Sequence, residues 1–317
     1  MGHEQHTIAV LAPALYLTVT VESTSSGTDE IHVHPGGQGF WIARMLKHLD
    51  ERPLICGPVG GETGKVFLGL LSQFGMDVSP VEVAGATSTI IQDRRTGERV
   101  PIAESPTADL ARHEIDDVYG RFLDRALAAS VCVVTGQPSP ILPVDFYKRL
   151  GNDLASAQVE VVADMHGPEL DAFLEGGSIR LLKVSDEDLQ KDGLLPTTDA
   201  GLGEVMEAFS SLTQRGAETI VLSRQDRPAL AVHEGRLLKV EGPALDPADH
   251  RGAGDSMTAG LAAGVRREAE LTETLRLAAA AGAANVTRHG LGSAEEGLVP
   301  GLMKRVTVRA LDGDDSP

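Results

Sequence analysis

The residues best suited to chemistry stand together in one turn, Arg251-Gly252-Ala253-Gly254-Asp255. Its small residues let a ligand approach the backbone, and a helix beginning near Asp255 directs free N–H groups and the positive end of its dipole there. A carboxylate in this turn can take a proton from an attacking hydroxyl while the amides stabilise charge on a phosphoryl group. The turn therefore suggests phosphoryl transfer, although an ordinary Asp in a first helical turn has the same local pattern.

A second glycine-rich turn, residues 34–39, leads into a helical pattern. Gly36 and Gly37 allow a close backbone approach, but glycine turns precede many helices, so this turn alone is a weak signal. Gln38 and Trp41 are the larger side chains at its helical end. Trp41 is the only tryptophan of the chain, and either a core anchor or a pocket wall fits its position.

The elements that must position these turns follow from the apolar pattern. Short runs rich in β-branched residues occur at 131–135, 159–163, 179–183 and 219–223. Because these runs are continuous rather than alternating, they predict strands covered on both faces, as in a doubly wound parallel α/β sheet. Residues 16–21 and a hairpin over 89–103 mix polar and apolar positions, which indicates a small second sheet that could act as a lid.

Composition excludes several classes of function. The chain has 317 residues with 28 Lys and Arg against 46 Asp and Glu, a net charge of −18 that repels nucleic acid and anionic membranes. Its two cysteines, Cys56 and Cys132, lie in apolar runs and predict buried free thiols in a reducing compartment. No apolar stretch is long enough to span a bilayer and no signal peptide begins the sequence, so we expect a cytoplasmic protein.

Both glycine turns, with residues 57–64 between them, resemble the PfkB/ribokinase family of carbohydrate kinases, closest to its 1-phosphofructokinase and tagatose-6-phosphate kinase branch. Further matches follow in the family's order at residues 9–15, 182–185 and 278–287, so the resemblance covers nearly the whole chain. It implies a Rossmann-like α/β domain and a β-sheet lid. The α/β domain would comprise residues 1–12, 36–85 and 109–317, and the lid residues 13–35 and 86–108.

The resemblance also implies an activity, in which ATP with Mg²⁺ donates its γ-phosphoryl group to a hydroxyl of a sugar or sugar-like molecule. Asp255 would be the general base, and the amides of Gly252, Ala253 and Gly254 would form the anion hole. The implied acceptor-side residues are Tyr16, Gly36, Gly37, Gln38 and Trp41. The implied nucleotide-side residues are Lys183, Ser185, Ser223, Gln225 and Asn285, and no side chain is assigned as a metal ligand. Lids of this family often meet, so a homodimer through the lid is expected.

Four acceptor-side positions depart from the family pattern. Tyr16 stands where the family has an acidic residue that binds sugar hydroxyls, and Ser88 stands where the branch has an arginine for the sugar phosphate. In the glycine turn, Gln38 stands where the branch has Lys or Gly, and Trp41 where it has Asn. These changes predict an acceptor that is less charged and partly apolar.

The nucleotide side departs as well. The family's Lys-Pro-Asn-x-x-Glu becomes the hexapeptide 183–188, with Ser185 and Asp188 in place of Asn and Glu, and Gln225 and Pro228 replace two glycines. We expect ATP to bind more weakly than the family pattern allows, because Pro228 also removes an amide donor. The alternative is a non-catalytic relative that keeps the fold as a ligand-binding or regulatory protein.

Overall fold

The computed structural model describes residues 8–136, 141–243, 251–286, 292–295 and 297–311. The strands of the described residues are β1 Ile8–Leu11, β2 Tyr16–Ser23, β3 Asp29–Gly36, β4 Pro53–Gly60, β5 Asp77–Val83, β6 Ser88–Asp93, β7 Val100–Glu104, β8 Val131–Thr135, β9 Glu160–Asp164, β10 Leu181–Ser185, β11 Thr219–Arg224, β12 Arg227–His233, β13 Arg236–Glu241 and β14 Thr307–Ala310. The helices are α1 Gln38–His48, α2 Gly61–Gln73, α3 Arg112–Ala128, α4 Val144–Ser156, α5 Gly167–Gly176, α6 Asp186–Lys191, α7 Leu202–Gln214, α8 Ala253–Arg266, α9 Leu271–Val286 and α10 Leu298–Met303.

A ten-stranded sheet carries the fold, in the order β14-β13-β12-β11-β10-β9-β8-β1-β4-β5. The strands from β11 to β5 run parallel to their neighbours, and β12, β13 and β14 extend the sheet in antiparallel fashion. The α/β class predicted from the apolar runs is confirmed. Parallel strands of this kind present their carboxyl ends at one edge, which is where ligands bind in open α/β sheets.

The central strand β1 shows why the apolar runs are continuous. Ile8 and Val10 pack into the core on one face of the sheet, while Ala9 and Leu11 pack into the core on the other. The first core includes residues of α1, α8 and α9, and the second includes residues of α3, α4, α5 and α7. Helices therefore cover both faces, and no position of β1 needs a polar side chain.

The second sheet has four strands in the order β3-β2-β6-β7. β2 and β3 form one antiparallel hairpin, β6 and β7 form another, and the two hairpins join through the parallel pair of β2 and β6. All four strands lie in the two segments expected to form a lid, apart from Gly36 at the end of β3. We call this sheet the lid, and its separate movement remains a prediction.

The structure corrects two strand boundaries at the carboxyl edge. The strands expected at 159–163 and 179–183 are Glu160–Asp164 and Leu181–Ser185. Ile179 makes only an isolated bridge with Ala217, and each strand runs on into polar residues that the apolar pattern did not include. Asp164 and Ser185 therefore end strands at the edge where ligands bind. Among the described helices, none has the length and apolar character needed to cross a membrane.

Candidate active site

The predicted anion-hole turn lies at the amino end of α8. Gly252 is the N-cap and has a φ of +72°, a left-handed conformation that favours glycine. The first helical bond runs from the Ser256 amide to the Gly252 carbonyl at 2.9 Å, so α8 itself does not use the amides of residues 253–255. Asp255 stands in this first turn. The sequence placed the helix start near Asp255, and the observed start at Ala253 brings the carboxylate beside these amides.

A buried cluster of polar side chains lies beneath the turn. Lys183 on β10 is 7% exposed, and its Nζ donates to Oδ1 of Asp164, at the end of β9, over 3.2 Å. The hydroxyl of Thr258, one turn along α8 from Gly254, donates to the other Asp164 oxygen at 2.5 Å. Asp164 thus ties two strands and α8 together. A Cβ atom at Gly254 would lie only 2.8 Å from Lys183 Nζ, so the glycine lets the ammonium group reach the turn.

The charges of this cluster act on Lys183. Burial alone would lower the pKa of Lys183, but the carboxylates of Asp164, Asp255 and Asp188 outweigh burial and hold the pKa above its ordinary value. Lys183 therefore remains a cation at neutral pH. Its charge faces both the glycine turn and the carboxylate of Asp255.

Asp255 has an ionisation suited to proton transfer. Burial and the neighbouring charge of Asp164 raise its pKa to about 7, although Lys183 and a hydrogen bond with the side chain of Gln38 act in the opposite direction. A carboxyl group poised near neutrality can accept a proton and release it again at the pH of the cell.

The acceptor-side residues come together around the start of α1. Gly37 is the N-cap of α1 with a φ of +112°, and a Cβ atom there would lie 2.4 Å from the Ala14 carbonyl oxygen. The Tyr16 ring packs on Gly36 and meets the Trp41 ring edge to face, with centroids 5.9 Å apart. Gln38 bonds Asp255 from the same helix, and the charge of Asp255 also acts on Tyr16, so at least these two expected acceptor-side residues lie near that carboxylate.

The nucleotide-side residues at the ends of β10 and β11 bond mainly to neighbouring protein groups. Ser185 caps α6 by accepting from the Asp188 amide at 3.1 Å, and its hydroxyl donates to the Asp188 carboxylate at 2.6 Å. Ser223 donates to the Val184 carbonyl oxygen at 3.3 Å, and Gln225 donates to Glu187 at 2.6 Å. Each of these three side chains therefore has at least one hydrogen-bond partner within the protein, and their contact with a nucleotide stays a prediction.

Asn285 lies on α9 and is 1% exposed. Its Nδ2 donates to the Arg251 carbonyl oxygen at 2.6 Å, and its Oδ1 accepts from the Gly292 amide at 2.7 Å. The family resemblance implies a place for Asn285 on the nucleotide side, near the adenine. The structure shows that its amide group also holds the chain immediately before the glycine turn, a role that the sequence did not indicate.

Sequence reasoning missed Asp164, Thr258 and His166. Only Asp164 had a signal in the sequence: it is an acidic residue directly after a buried apolar run, and such a residue ends its strand at the ligand-binding edge. His166 follows two residues later and lies between two carboxylates, with Nδ1 at 3.0 Å from Asp192 and Nε2 at 3.5 Å from Asp188. It joins α6 to the end of β9.

Comparison with known proteins agrees with this architecture. A model of the pfkB family carbohydrate kinases matches residues 7–297. The 1-phosphofructokinase of Vibrio cholerae is 26% identical over 309 residues, covering 95% of both chains, and the ATP-dependent 6-phosphofructokinase isozyme 2 of Mycobacterium tuberculosis is 27% identical over 290 residues, covering 88% of this chain and 83% of its own. The crystal structure of phosphofructokinase-2 from Escherichia coli in complex with potassium superposes with a TM-score of 0.84 at 23% identity, over 95% of this chain and 99% of that one.

The matched region extends over most of the chain, so the protein belongs to the pfkB family of carbohydrate kinases. It is therefore a kinase that phosphorylates a sugar or sugar-like substrate, with ATP as the phosphoryl donor. The family resemblance carried by the two glycine turns is confirmed.

Proposed function

We propose that this kinase transfers the γ-phosphoryl group of ATP to a hydroxyl of its sugar-like acceptor, with Asp255 as the general base. One observation carries the proposal. Asp255 stands in the first turn of α8 with a pKa of about 7, beside a glycine turn whose amides the helix leaves unused. A group that binds the phosphoryl charge and a carboxylate that can accept the hydroxyl proton together support phosphoryl transfer to a neutral hydroxyl.

In the proposed step, the Asp255 carboxylate takes the proton as the hydroxyl oxygen forms its bond to the γ-phosphorus. The bond from that phosphorus to the bridging oxygen breaks, and ADP leaves with the electron pair. The amides of Gly252, Ala253 and Gly254 stabilise the negative charge on the transferring group. Lys183 adds a positive charge, and Asp164 and Thr258 hold that cluster in place.

The donor would lie over the ends of β10 and β11, against Lys183, Ser185, Ser223 and Gln225, with Asn285 on the far side of the glycine turn. Among the described residues, no set of three His, Cys, Asp or Glu side chains converges to hold a metal by itself. Mg²⁺ would be bound mainly by the ATP phosphates, since such an ion needs only one or two carboxylates from the protein. Asp188 is the candidate, and the ion would neutralise phosphate charge.

The lid would complete the site by covering the acceptor. Its strand β3 leads directly into Gly36, Gly37 and α1, so any movement of the lid is transmitted to the acceptor side. Closure would exclude water and limit wasteful hydrolysis of ATP. We also propose that two copies of the chain meet through their lids as a homodimer.

The experiment is the substitution Asp255→Asn, assayed for acceptor-dependent ADP release over a panel of sugars, sugar phosphates and nucleosides. We expect kcat to fall by roughly 100-fold or more, the scale of losing a general base, with the fold intact. Asp145→Asn is the matched control, because Asp145 is an exposed aspartate in the first turn of α4. If Asp255→Asn keeps a near-normal kcat, Asp255 is not the base and is only an ordinary first-turn residue.

A further inference from the structure

Two aromatic rings form a wall beside the proposed base. Tyr16 and Trp41 meet at an interplanar angle of 86°, and a Cβ atom at Gly36 would lie 2.6 Å from Tyr16 Cε2, so the tyrosine ring covers the glycine turn. Trp41 lies one turn along α1 from Gln38, whose side chain bonds Asp255. Both residues are only partly buried, and Trp41 also packs against the core.

The charges that face this wall nearly balance. Burial raises the pKa of Tyr16 to about 12, and the carboxylates of Asp255 and Glu104 act in the same direction. Arg251 and Arg99 act to lower it. Among the described residues, the charges that act on Tyr16 are therefore two carboxylates and two guanidinium groups, which give no surplus of positive charge at this ring for a dianionic phosphate.

Other cations of the lid are held by carboxylates. Arg94 is bound to Glu22 at 2.9 Å, and Arg95 is bound to Asp93 at 2.7 Å. Ser88, at the start of β6, donates its hydroxyl to the Ser105 carbonyl oxygen at 2.7 Å. The described lid residues thus use these polar groups within the lid itself.

Resting on the proposed function, we propose that Tyr16 and Trp41 determine acceptor specificity. They select a neutral, hydroxylated acceptor that carries a flat apolar group next to its reactive hydroxyl, such as a sugar with an aryl substituent, and they disfavour a sugar phosphate. A flat apolar group covers aromatic surface that water otherwise contacts, and it gains the geometry-dependent attraction of paired rings. A phosphate would lose much of its hydration without a compensating excess of positive charge.

Trp41 makes the test direct, because it is the only tryptophan in the chain. Its fluorescence is titrated without ATP, using a phenyl glycoside as the probe and fructose 6-phosphate as the comparison. We expect the phenyl glycoside to change the emission and to bind at least about tenfold more tightly. Because no turnover is involved, a response of Trp41 in a protein that forms no ADP would defeat the proposed function and leave this inference standing.

Variants of Tyr16 and Trp41 test whether the aromatic wall causes this difference in affinity. Tyr16→Phe keeps the ring and is expected to keep the affinity for the phenyl glycoside, whereas Tyr16→Ala is expected to lose about tenfold. Trp41→Leu, followed by calorimetry, gives a second measure if Tyr16→Ala does not fold. Tyr119→Phe is the control, since that tyrosine bonds Asp153 away from the site. The inference is wrong if fructose 6-phosphate binds more tightly and Arg251→Gln abolishes that binding, or if neither probe changes the fluorescence.

Discussion

At the scale of single residues, Asp255 combines burial with the need to be ionised. Its pKa of about 7 means that the carboxylate, the form able to accept a proton, is fully present only above neutrality. We therefore expect kcat/KM to rise about tenfold per pH unit below pH 7 and to level off above about pH 8. A pH profile on the active acceptor checks this. A rate that stays flat from about pH 5.5 to 8.5 would separate Asp255 from the rate-limiting proton transfer.

A substitution at Gln38 should move the midpoint of this pH profile of kcat/KM. Its hydrogen bond to Asp255 favours the ionised carboxylate and so lowers the pKa. Gln38→Met removes the bond with a similar side-chain length, and we expect the midpoint of the pH profile to shift upward. Gln73→Met, at the far end of α2, is the control that should leave the midpoint unchanged. A downward shift in Gln38→Met would contradict the assigned contact.

A substitution at Asn285 distinguishes a contact with the nucleotide from a structural role. Asn285→Ala breaks two buried hydrogen bonds, so we expect it to lower the free energy of unfolding by about 1–3 kcal/mol, measured by urea denaturation. Asn152→Ala, at an exposed position in α4, should change little. If Asn285→Ala instead raises KM for ATP at unchanged stability, the amide acts mainly on the nucleotide, as the family resemblance implies.

The residues of the site divide by how visible they are in the sequence. Asp255 could be found because glycines mark its turn. The left-handed backbone conformation of Gly252 favours glycine, so it is visible in the sequence as a glycine at that position. Asp164 and Thr258 could not be paired from sequence, because 94 positions separate them and only the sheet order brings them together. The bond between Asn285 and Arg251 could not be predicted either, because it depends on the packing of α9 against α8.

At the scale of elements, the close packing of α8 on α9 depends on glycine. A Cβ atom at Gly260 would lie 2.6 Å from the Ala278 Cα and 2.8 Å from its amide nitrogen, so Gly260→Ala would push apart two helix backbones. We expect a loss of about 1–3 kcal/mol in the free energy of unfolding. Since α8 carries Asp255, kcat should also fall.

Gly69 is the matched control within a helix. It is exposed on α2, and a Cβ atom there would meet nothing within 4 Å. Gly69→Ala should therefore stabilise the protein by about 0.5–1 kcal/mol through better helix propensity. Equal effects of the two substitutions in urea denaturation would show that packing at Gly260 does not limit stability.

Strand β3 of the lid is an element of mixed polarity that the sequence analysis did not predict. β3 contains Glu30, His32 and His34 among its apolar residues and is largely exposed, so it carries no run that marks a buried strand. Four strands of the main sheet, β8 to β11, were predicted because both of their faces are covered and their apolar runs are continuous, whereas β1, β4, β5, β12, β13 and β14 were not predicted. The apolar periodicity of a sequence follows the burial of its side chains. An edge strand such as β3, which buries few side chains, therefore shows little periodicity.

At the scale of the whole molecule, the lid presents unpaired edges on β3 and β7. Ile31 on β3 is 69% exposed and Ile102 on β7 is 57% exposed. Exposed edges with apolar side chains are usually covered, so we expect a dimer in sedimentation equilibrium at micromolar concentration. Ile31→Lys should shift the population to monomer.

Leu127→Lys is the control for that experiment, because Leu127 is 53% exposed but lies on α3 in the main domain. A substitution there should leave the dimer intact. A wild-type protein that remains monomeric at micromolar concentration would contradict assembly through the lid, as would a dimer that Leu127→Lys disrupts and Ile31→Lys does not.

The lid is built from two hairpins that are separate in the sequence, and this limits how a lid can be exchanged between related genes. β2 and β6 pair in parallel, and the residues between the two hairpins form α1, β4, α2 and β5 of the main domain. Either hairpin alone would be only marginally stable, because a single two-stranded ribbon has little to pack against. A relative could acquire a foreign lid only by exchanging both hairpins together, or by exchanging the whole amino-terminal stretch that contains them. Recombination with one crossover inside that stretch would join mismatched hairpins, so acceptor specificity is expected to change by substitutions such as those at Tyr16 and Trp41 rather than by transfer of the lid.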